Sequence, residues 1–231
     1  MRNAIDRNGI WLYRAGGLSA LALGVAYIVI IGLYVRTGAP PSGVEARLAY
    51  LAGHTTAWWA ILGLSVLTDF LFAPVALSLY VVLKEVNRNL MLFATACVVL
   101  FIVLDLAITW TNYATLITLS GKYAKAASEA QRAAVITAAD YPYLVLESRL
   151  LFVYNTLVLA VGILMIGLVM LNGTFGKRIA YLGIAIGILG VVSVVGPVFV
   201  SALSVTIILT SVLTAVWVVL VGYRLYRLGR Q

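Results

Sequence analysis

The sequence predicts an all-α integral membrane protein, a bundle of six transmembrane helices with short extracytoplasmic interfacial helices. Two observations lead to this prediction. Of the 231 residues, 63% are hydrophobic and 10% are charged, whereas a soluble domain is about half apolar and a quarter charged. The apolar residues also fall into runs of roughly 20 or more, the length of a helix that crosses a bilayer. The chain therefore needs lipid as its solvent, and we expect a single transmembrane domain over residues 1–231.

Six apolar segments are long enough to span a membrane. We predict spans at about 13–35, 56–83, 90–119, 143–171, 178–198 and 201–226. The last two come from one apolar stretch, residues 178–226, that is too long for a single helix. Gly196 and Pro197 divide this stretch, because proline removes a backbone donor and clashes with the preceding helical turn. One continuous, kinked and strongly tilted helix is the alternative.

The distribution of basic residues predicts the orientation of the bundle. Six spans place both termini on the same side of the membrane. Ten of the 16 Lys and Arg residues fall on that side, namely Arg2, Arg7, Arg14, Lys84, Arg88, Lys177, Arg178, Arg224, Arg227 and Arg230. Because basic segments stay in the cytoplasm, we expect both termini there. The net charge of +8 then serves contacts with anionic membrane lipids, and we expect no nucleic acid partner.

Two longer segments fall on the opposite side of the membrane. Residues 37–55 contain Ser42-x-x-Glu45, the pattern of a helix capping box. Residues 121–142 are rich in alanine and predict a helix that ends at Pro142. We expect a short interfacial helix in each segment. These helices either cap the outer mouth of the bundle or merely connect spans along the headgroups.

Polar residues inside the spans mark a candidate site. Asp69 and Asp105 lie about halfway along consecutive antiparallel spans, so we expect them at similar depth. A carboxylate at a helix centre costs roughly 2.5–3.5 kcal/mol on insertion, and such residues usually face the bundle interior. Thr109 and Asn112 follow Asp105 on the same helix face, with Thr115 at its edge. This face predicts a polar patch about two helical turns long.

The fourth span supplies further candidate ligand-binding residues. Glu147 and Arg149 lie at its outer end, and Tyr154 and Asn155 lie deeper. Together with the patch on the third span, they would line a polar cavity in the outer half of the bundle. Because Glu147 and Arg149 are two residues apart, they do not face each other on one helix, and we expect them to have different partners.

Two interpretations of the aspartates remain open. In the first, Asp69 and Asp105 bind a cation or a small cationic or lipid-like molecule, or carry a proton. Two close carboxylates in a low dielectric do not both ionise easily, which suits either role. In the second, each aspartate hydrogen-bonds a neighbouring polar side chain and simply links two helices.

The sequence offers no catalytic residue. No span contains a lysine that could hold retinal, and the motifs G-x-S-x-G, H-E-x-x-H and C-x-x-C and the Walker A loop are absent. One His (His54) and one Cys (Cys97) are too few for a His- or Cys-rich metal site, so we expect no metal and no cofactor. Binding or transport of a small ligand is therefore the leading hypothesis. The alternatives are an accessory subunit of a membrane complex and, less favoured, a lipid-modifying enzyme that uses the two aspartates alone.

Small residues predict where helices approach closely. Ala20-x-x-x-Gly24 lies in the first span, and Gly183-x-x-x-Gly187, followed by Gly190, lies in the fifth. Such spacing lets helix backbones pack against each other in lipid. These faces would serve packing within the chain, a homo-oligomer or a partner in a membrane complex.

Four stretches resemble a known family. They are YRAGGLSALALG near the N-terminus, VALSLYVVLKEVNRNLMLFA at the end of the second span, GTFGKRIAYLGIAIGILG at the start of the fifth span and WVVLVGYRLYRLGR near the C-terminus. They are similar to a large bacterial family of six-span membrane proteins that is catalogued as a domain of unknown function. The resemblance implies a multi-pass protein of the bacterial cytoplasmic membrane. It implies no established activity and no catalytic residue.

Overall fold

The structure, a computed structural model, describes residues 10–230 apart from the side chain of Ser204. Arg2 and Arg7, which enter the predicted orientation, lie outside the described residues. Within the described range the chain is helical and contains no β-strand. Six of its helices are long and apolar enough to cross a membrane. The predicted fold class is therefore confirmed, and the chain is a multi-pass membrane protein. The cytoplasmic position of the termini and the bacterial cytoplasmic membrane stay predictions.

Two shorter helices lie between spanning helices in the chain. In chain order the helices are α1 (Ile10–Thr37), α2 (Val44–Gly53), α3 (Thr55–Leu83), α4 (Arg88–Ala124), α5 (Glu129–Glu147), α6 (Arg149–Met170), α7 (Lys177–Val195) and α8 (Thr206–Leu228). The connections α3–α4 and α6–α7 are short turns at the end of the bundle where α1 begins and α8 ends. Helices α2 and α5 lie at the opposite end.

The long apolar stretch between Lys177 and Leu228 forms two helices. Helix α7 ends at Val195, where Gly196 begins a short 3₁₀ turn that contains Pro197. A second 3₁₀ turn, Ser201–Val205, leads into α8. The break lies where proline was expected to cause it, and the alternative of one continuous helix is wrong.

Glycines bring two pairs of helices into close contact. A Cβ atom on Gly17 of α1 would lie 2.6 Å from the backbone nitrogen of Tyr226 in α8. A Cβ atom on Gly187 of α7 would lie 2.7 Å from the Cα of Leu164 in α6. Both distances are too short for any side chain, so these glycine faces pack within the chain.

A second apolar core lies at the end of the bundle opposite the termini. We call this region the cap, and it consists of α2, α5 and the last part of α4, Thr111–Ala124. The three helices pack on one another and bury Leu48, Leu51, Ala139 and Leu116. Helix α4 has 37 residues and is about 55 Å long, against about 30 Å of bilayer hydrocarbon, so its final turns extend into the cap.

The predicted capping box does not form. The residue that precedes α2 is Gly43, whose φ of 93° suits glycine, and no side chain caps the helix. Glu45 instead accepts a hydrogen bond at 2.8 Å from the hydroxyl of Tyr123 in α4. The expectation of a capping box was wrong because a contact between helices takes the carboxylate away from the helix start.

The expectation that Pro142 ends the second short helix was also wrong. Helix α5 continues through the proline to Glu147. Ala139 and Leu146, on either side of the proline, are buried in the cap core, and this packing offsets one lost backbone hydrogen bond. The chain breaks at Ser148, whose extended backbone separates the two helices. The fourth span therefore begins at Arg149 rather than near residue 143.

Candidate functional site

A cavity of about 430 Å³ lies inside the bundle, next to the cap. Residues from all six spanning helices line it. Polar groups gather on the side formed by α3, α4 and α6, with Ser65, Thr68, Asp69, Asp105, Thr109 and Asn155 among them. Its volume falls within the range of small-molecule sites in proteins.

Two carboxylates from neighbouring helices meet on this polar side. Asp69 on α3 and Asp105 on α4 share one donor, the indole N–H of Trp110. The Nε1 atom of Trp110 lies 2.9 Å from Oδ2 of Asp69 and 3.1 Å from Oδ2 of Asp105. The structure thus brings together the two aspartates that were expected at similar depth, and it joins them through a third side chain.

The local shape of α4 explains how Trp110 reaches Asp105. The segment Asp105–Trp110 is a π-helix inside an otherwise α-helical span. A π turn pairs residues five apart, whereas in an α-helix such residues point in well-separated directions. The wider turn therefore places the indole beside the carboxylate five residues earlier. Such π segments inside α-helices occur frequently at functional sites.

A second π-helix lies beside the first on the polar side of the cavity. It spans Val153–Leu157 in α6 and contacts the π segment of α4. Asn155 and Thr156 from this segment line the cavity. The hydroxyl of Thr156 donates to Oδ1 of Asn155 at 2.9 Å. This bond uses the amide oxygen of Asn155 and leaves its N–H groups as donors. The polar side of the cavity is thus built where both spans depart from α-helical geometry.

Two buried oxygen atoms on this side form no hydrogen bond of regular geometry, although the side chains that carry them interact with each other. They are Oδ1 of Asp105 and the hydroxyl of Thr109. Neither aspartate exposes much of its surface, with 2% of Asp69 and 5% of Asp105 accessible. No described Lys, Arg or His lines the cavity. The site therefore holds acidic groups without a basic side chain to balance them.

Helix α8 contributes hydroxyl groups to the opposite side. Thr210 and Thr214 are buried and line the cavity, and Ser211 lies at its edge. Each hydroxyl donates to a carbonyl four residues earlier in its own helix, at 2.8–2.9 Å. Because the donors are satisfied in this way, the hydroxyl oxygens remain as acceptors towards the cavity.

Aromatic rings cover much of the remaining surface of the cavity. The lining includes Tyr27, Tyr34, Phe101, Trp110, Tyr113 and Phe152. The ring of Tyr113 lies 5.7 Å from that of Trp110 and stacks at 5.3 Å on Trp58 in α3. This stack connects the carboxylate pair to the cap core and supports Trp110 from one side.

The cavity opens between α1, α6 and α8. Three of its lining residues are exposed at the surface of the bundle, Ile31 with 37% of its area, Phe152 with 41%, and Ser211. Each lies near the cap end of its span. This mouth faces sideways, where a spanning protein meets lipid and headgroups.

A groove lies on the other side of Trp110. It runs along the surface between α3 and α4, has a volume of about 570 Å³ and is lined by Leu62, Val66, Ala114, Thr115 and Lys122 among others. Trp110 lines both the groove and the cavity. Its half-buried ring therefore stands between the two spaces.

The structure places the predicted site residues in three groups. Asp69, Asp105, Thr109 and Asn155 line the cavity. Thr115 is exposed in the groove, outside the cavity. The others, which do not line the cavity, are Asn112, Tyr154, Glu147 and Arg149.

Local structure explains why some of the predicted residues do not line the cavity. After the π turn, Asn112 no longer follows the face of Asp105, and its amide donates to the carbonyl of Ile108 at 2.7 Å. Glu147 belongs to α5 and forms an ion pair of 2.7 Å with Arg47 in α2. Arg149 is exposed at the start of α6. Glu147 therefore has a partner other than Arg149, as its spacing predicted.

Trp110 is the central site residue that the sequence did not single out. An α-helical periodicity gives no reason to pair it with Asp105. Tyr27, Thr68 and Thr156 also line the cavity without having been predicted. The TW and NT pairs inside apolar runs, at Thr109–Trp110 and Asn155–Thr156, are the signals that mark both π segments as polar.

Comparisons with known proteins give a family but no activity. The family model described as Domain of unknown function (DUF4386) matches residues 15–227. No curated protein matches the chain. No solved structure matches it either.

Proposed function

We propose a ligand-binding role for this chain, which belongs to the DUF4386 family, a family whose description assigns no activity. The ligand is a small organic cation, and the site is the cavity beside Asp69 and Asp105. The observation that carries this proposal is the meeting of two carboxylates on the wall of a cavity that no described basic side chain lines.

The energetics of charge in a membrane favour a cation. A carboxylate near the centre of a spanning helix costs roughly 2.5–3.5 kcal/mol, and a second one nearby adds repulsion. Proteins usually offset such a charge with a partner of opposite sign. Trp110 and Thr109 supply only neutral donors to these two groups. A bound cation would supply the missing positive charge.

The aromatic lining favours an organic cation over a metal ion. Tyr27, Phe101 and Trp110 line the cavity, and the π face of an aromatic ring attracts an alkylated ammonium group. A hard metal ion would instead need six or more oxygen ligands. A volume of about 430 Å³ also accommodates a small organic molecule with room to spare. The sideways mouth suits a ligand that partitions into the membrane, and transport of the ligand would extend the same role.

The cavity favours binding over the alternative of an accessory subunit. That alternative relied on glycine faces available to a partner. Gly183 lies against Trp217, Gly187 against Leu164 and Gly24 against Val219, all within this chain. These faces are therefore occupied by the chain's own helices.

The first experiment measures the binding of choline to the protein in lipid nanodiscs by calorimetric titration. Dimethylbutanol, the uncharged carbon isostere of choline, is the matched ligand. We expect choline to bind and the isostere to bind at least tenfold more weakly, because the carboxylates recognise charge. Equal affinities, or no binding of choline, would contradict the proposal.

Variants locate the binding site. Asp69→Asn and Asp105→Asn keep the size of each side chain and remove its charge, and we expect each to weaken choline binding about tenfold or more, or about 1.4 kcal/mol. Asp140→Asn, an exposed change on α5 with the same loss of charge, is the control and should bind as the wild type does. If Asp140→Asn weakened binding as much as Asp69→Asn, the effect would come from net charge rather than from the cavity.

A further inference from the structure

Asp69 and Asp105 belong to the wall of the cavity, yet they are almost fully covered. Only 2% of Asp69 and 5% of Asp105 is accessible, although the space beside them is large enough for a ligand. Trp110 donates its N–H to Oδ2 of both carboxylates. The indole that bridges the two groups therefore also takes up acceptor positions that a ligand would use.

The ring of Trp110 lies between two spaces into which it could move. On one side lies the cavity, and on the other lies the surface groove between α3 and α4. The groove is lined by small or apolar side chains near the ring, including Ala114, Leu106 and Val66. An indole can enter such a space without losing an apolar environment. Trp110 sits at the end of a π turn, where the helical hydrogen bonding is already irregular.

We propose that Trp110 is the gate of this site. Bridged to both carboxylates, its indole closes them off from the cavity and separates the cavity from the groove. A cation that engages Asp69 and Asp105 replaces the indole N–H, and the ring moves towards the groove. This inference rests on the proposed function for the identity of the competing ligand, whereas the hydrogen bonds of Trp110 to both carboxylates are observed in the structure.

The competition follows from the number of donors and acceptors. Tryptophan offers a single N–H, and it is neutral. A cation attracts a carboxylate through its full charge, whereas the indole offers only one neutral hydrogen bond, so the cation can replace the indole. Tyr113, tilted at 30° against the ring of Trp110 and stacked on Trp58, limits movement on the cap side. The groove is the space that remains.

A lipid-soluble carbodiimide measures the accessibility of the two carboxyl groups without any ligand. The O–H of a carboxylic acid adds across a C=N bond of dicyclohexylcarbodiimide, and the adduct rearranges to a stable N-acylurea with no leaving group. Mass spectrometry of peptides that contain Asp69 or Asp105 gives the rate of labelling. We expect slow labelling in the wild type and labelling at least five times faster in Trp110→Phe, which lacks the N–H and covers less surface.

A second variant changes the rate in the opposite direction. Ala114→Phe keeps Trp110 and fills the groove, so the ring has less room to leave the carboxylates. We expect labelling in Ala114→Phe at least threefold slower than in the wild type. A loosened bundle would accelerate labelling in both variants, so opposite effects in the two variants distinguish a gate from a loss of stability.

Trp217→Phe is the matched control. Trp217 is buried in α8 and donates its own N–H to the carbonyl of Ile179 at 3.1 Å, away from the carboxylates. It should label at the wild-type rate. Trp110→Phe labelling no faster than the wild type, or Trp217→Phe labelling just as fast as Trp110→Phe, would overturn the gate. Choline binding and carbodiimide labelling are measured independently. Choline binding can therefore be absent while the labelling supports the gate, and choline can bind while the labelling contradicts the gate.

Discussion

At the scale of single residues, the molecule places one neutral donor beside two acidic groups. Asp69 and Asp105 have four carboxyl oxygens between them, and the indole of Trp110 reaches one oxygen on each. A purely structural link between helices would satisfy its buried acceptors, since unsatisfied ones cost about 1–3 kcal/mol. The hydroxyl of Thr109 is a further neutral donor to Asp105, although neither it nor Oδ1 of Asp105 forms a hydrogen bond of regular geometry. The four carboxyl oxygens thus outnumber the donors that reach them.

Gly187 provides a prediction about packing at a single position. A Cβ atom there would lie 2.7 Å from the Cα and 2.8 Å from the backbone nitrogen of Leu164, and neither atom can move without shifting α6. We expect Gly187→Ala to destabilise the protein by about 1–3 kcal/mol, the usual cost of overpacking. Thermal unfolding in detergent, followed by the loss of monodisperse protein, measures the change.

Gly63 is the control for Gly187. It lies within α3, is exposed, and has open space where a Cβ atom would be placed. Gly63→Ala should leave stability unchanged or raise it by up to about 1 kcal/mol, because alanine favours a helix over glycine. If Gly187→Ala were as stable as Gly63→Ala, the close contact between α6 and α7 would not exist in the folded protein.

At the scale of helices, hydropathy predicted six spanning helices because lipid imposes a length on each of them. The division at Gly196-Pro197 followed from the chemistry of proline in the same way. The face of Asp105 could be predicted over one turn, to Thr109, since an α-helical period of 3.6 holds over such a distance. Beyond Thr109 the π turn changes the register, and no propensity in the sequence specifies it. Trp110 entered the site, and Asn112 left the predicted face, for this single reason.

The cap shows a second limit of prediction from sequence. The short helices were expected from composition, but their boundaries depend on contacts between distant segments. Pro142 lies inside a helix because residues on either side of it are buried in the cap core. Glu147, expected at the start of the fourth span, pairs with Arg47, which is a hundred positions earlier. Such pairings are tertiary, and a single sequence does not specify them.

Arg47 and Glu147 give a prediction about how the cap is held together. Arg47 is buried, donates to the carbonyl of Pro41 at 2.9 Å and forms the 2.7 Å ion pair with Glu147. The pair joins α2 to the end of α5. A double-mutant cycle with Arg47→Ala and Glu147→Ala should give a coupling free energy of about 1 kcal/mol, modest because Glu147 is 44% exposed.

Hydrogen exchange shows whether the Arg47–Glu147 ion pair stabilises the packing of α2 in the cap. We expect backbone amides of α2 to exchange faster in Arg47→Ala, because α2 would detach more readily from the cap. The control is Arg149→Ala, which removes an exposed arginine near the same junction and should leave exchange in α2 unchanged. Equal exchange in α2 for the wild type and Arg47→Ala would show that apolar contacts alone hold the cap.

At the scale of the whole molecule, six spans bring the two ends of the described chain together. Helices α1 and α8 pack along their length through glycines, and the side chain of Arg14 donates to the carbonyl of Gly229 at 2.7 Å. The cavity and the cap lie towards the other end. The two ends of the molecule therefore differ, because short turns close one end and the helices of the cap close the other. Which end faces the cytoplasm decides the side from which a ligand arrives.

The excess of basic residues at the terminal end predicts its side. Short loops rich in Lys and Arg remain in the cytoplasm during insertion, so that end should be cytoplasmic and the cap extracytoplasmic. Green fluorescent protein fused after Gln231 should fluoresce in bacterial cells, since it matures in the cytoplasm. Alkaline phosphatase inserted between Lys125 and Ser128, in the connection from α4 to α5, should be active, since it requires the periplasm. A dark fluorescent protein at the C-terminus together with inactive phosphatase at the cap would reverse the orientation, and the mouth of the cavity would then receive its ligand from the cytoplasmic leaflet.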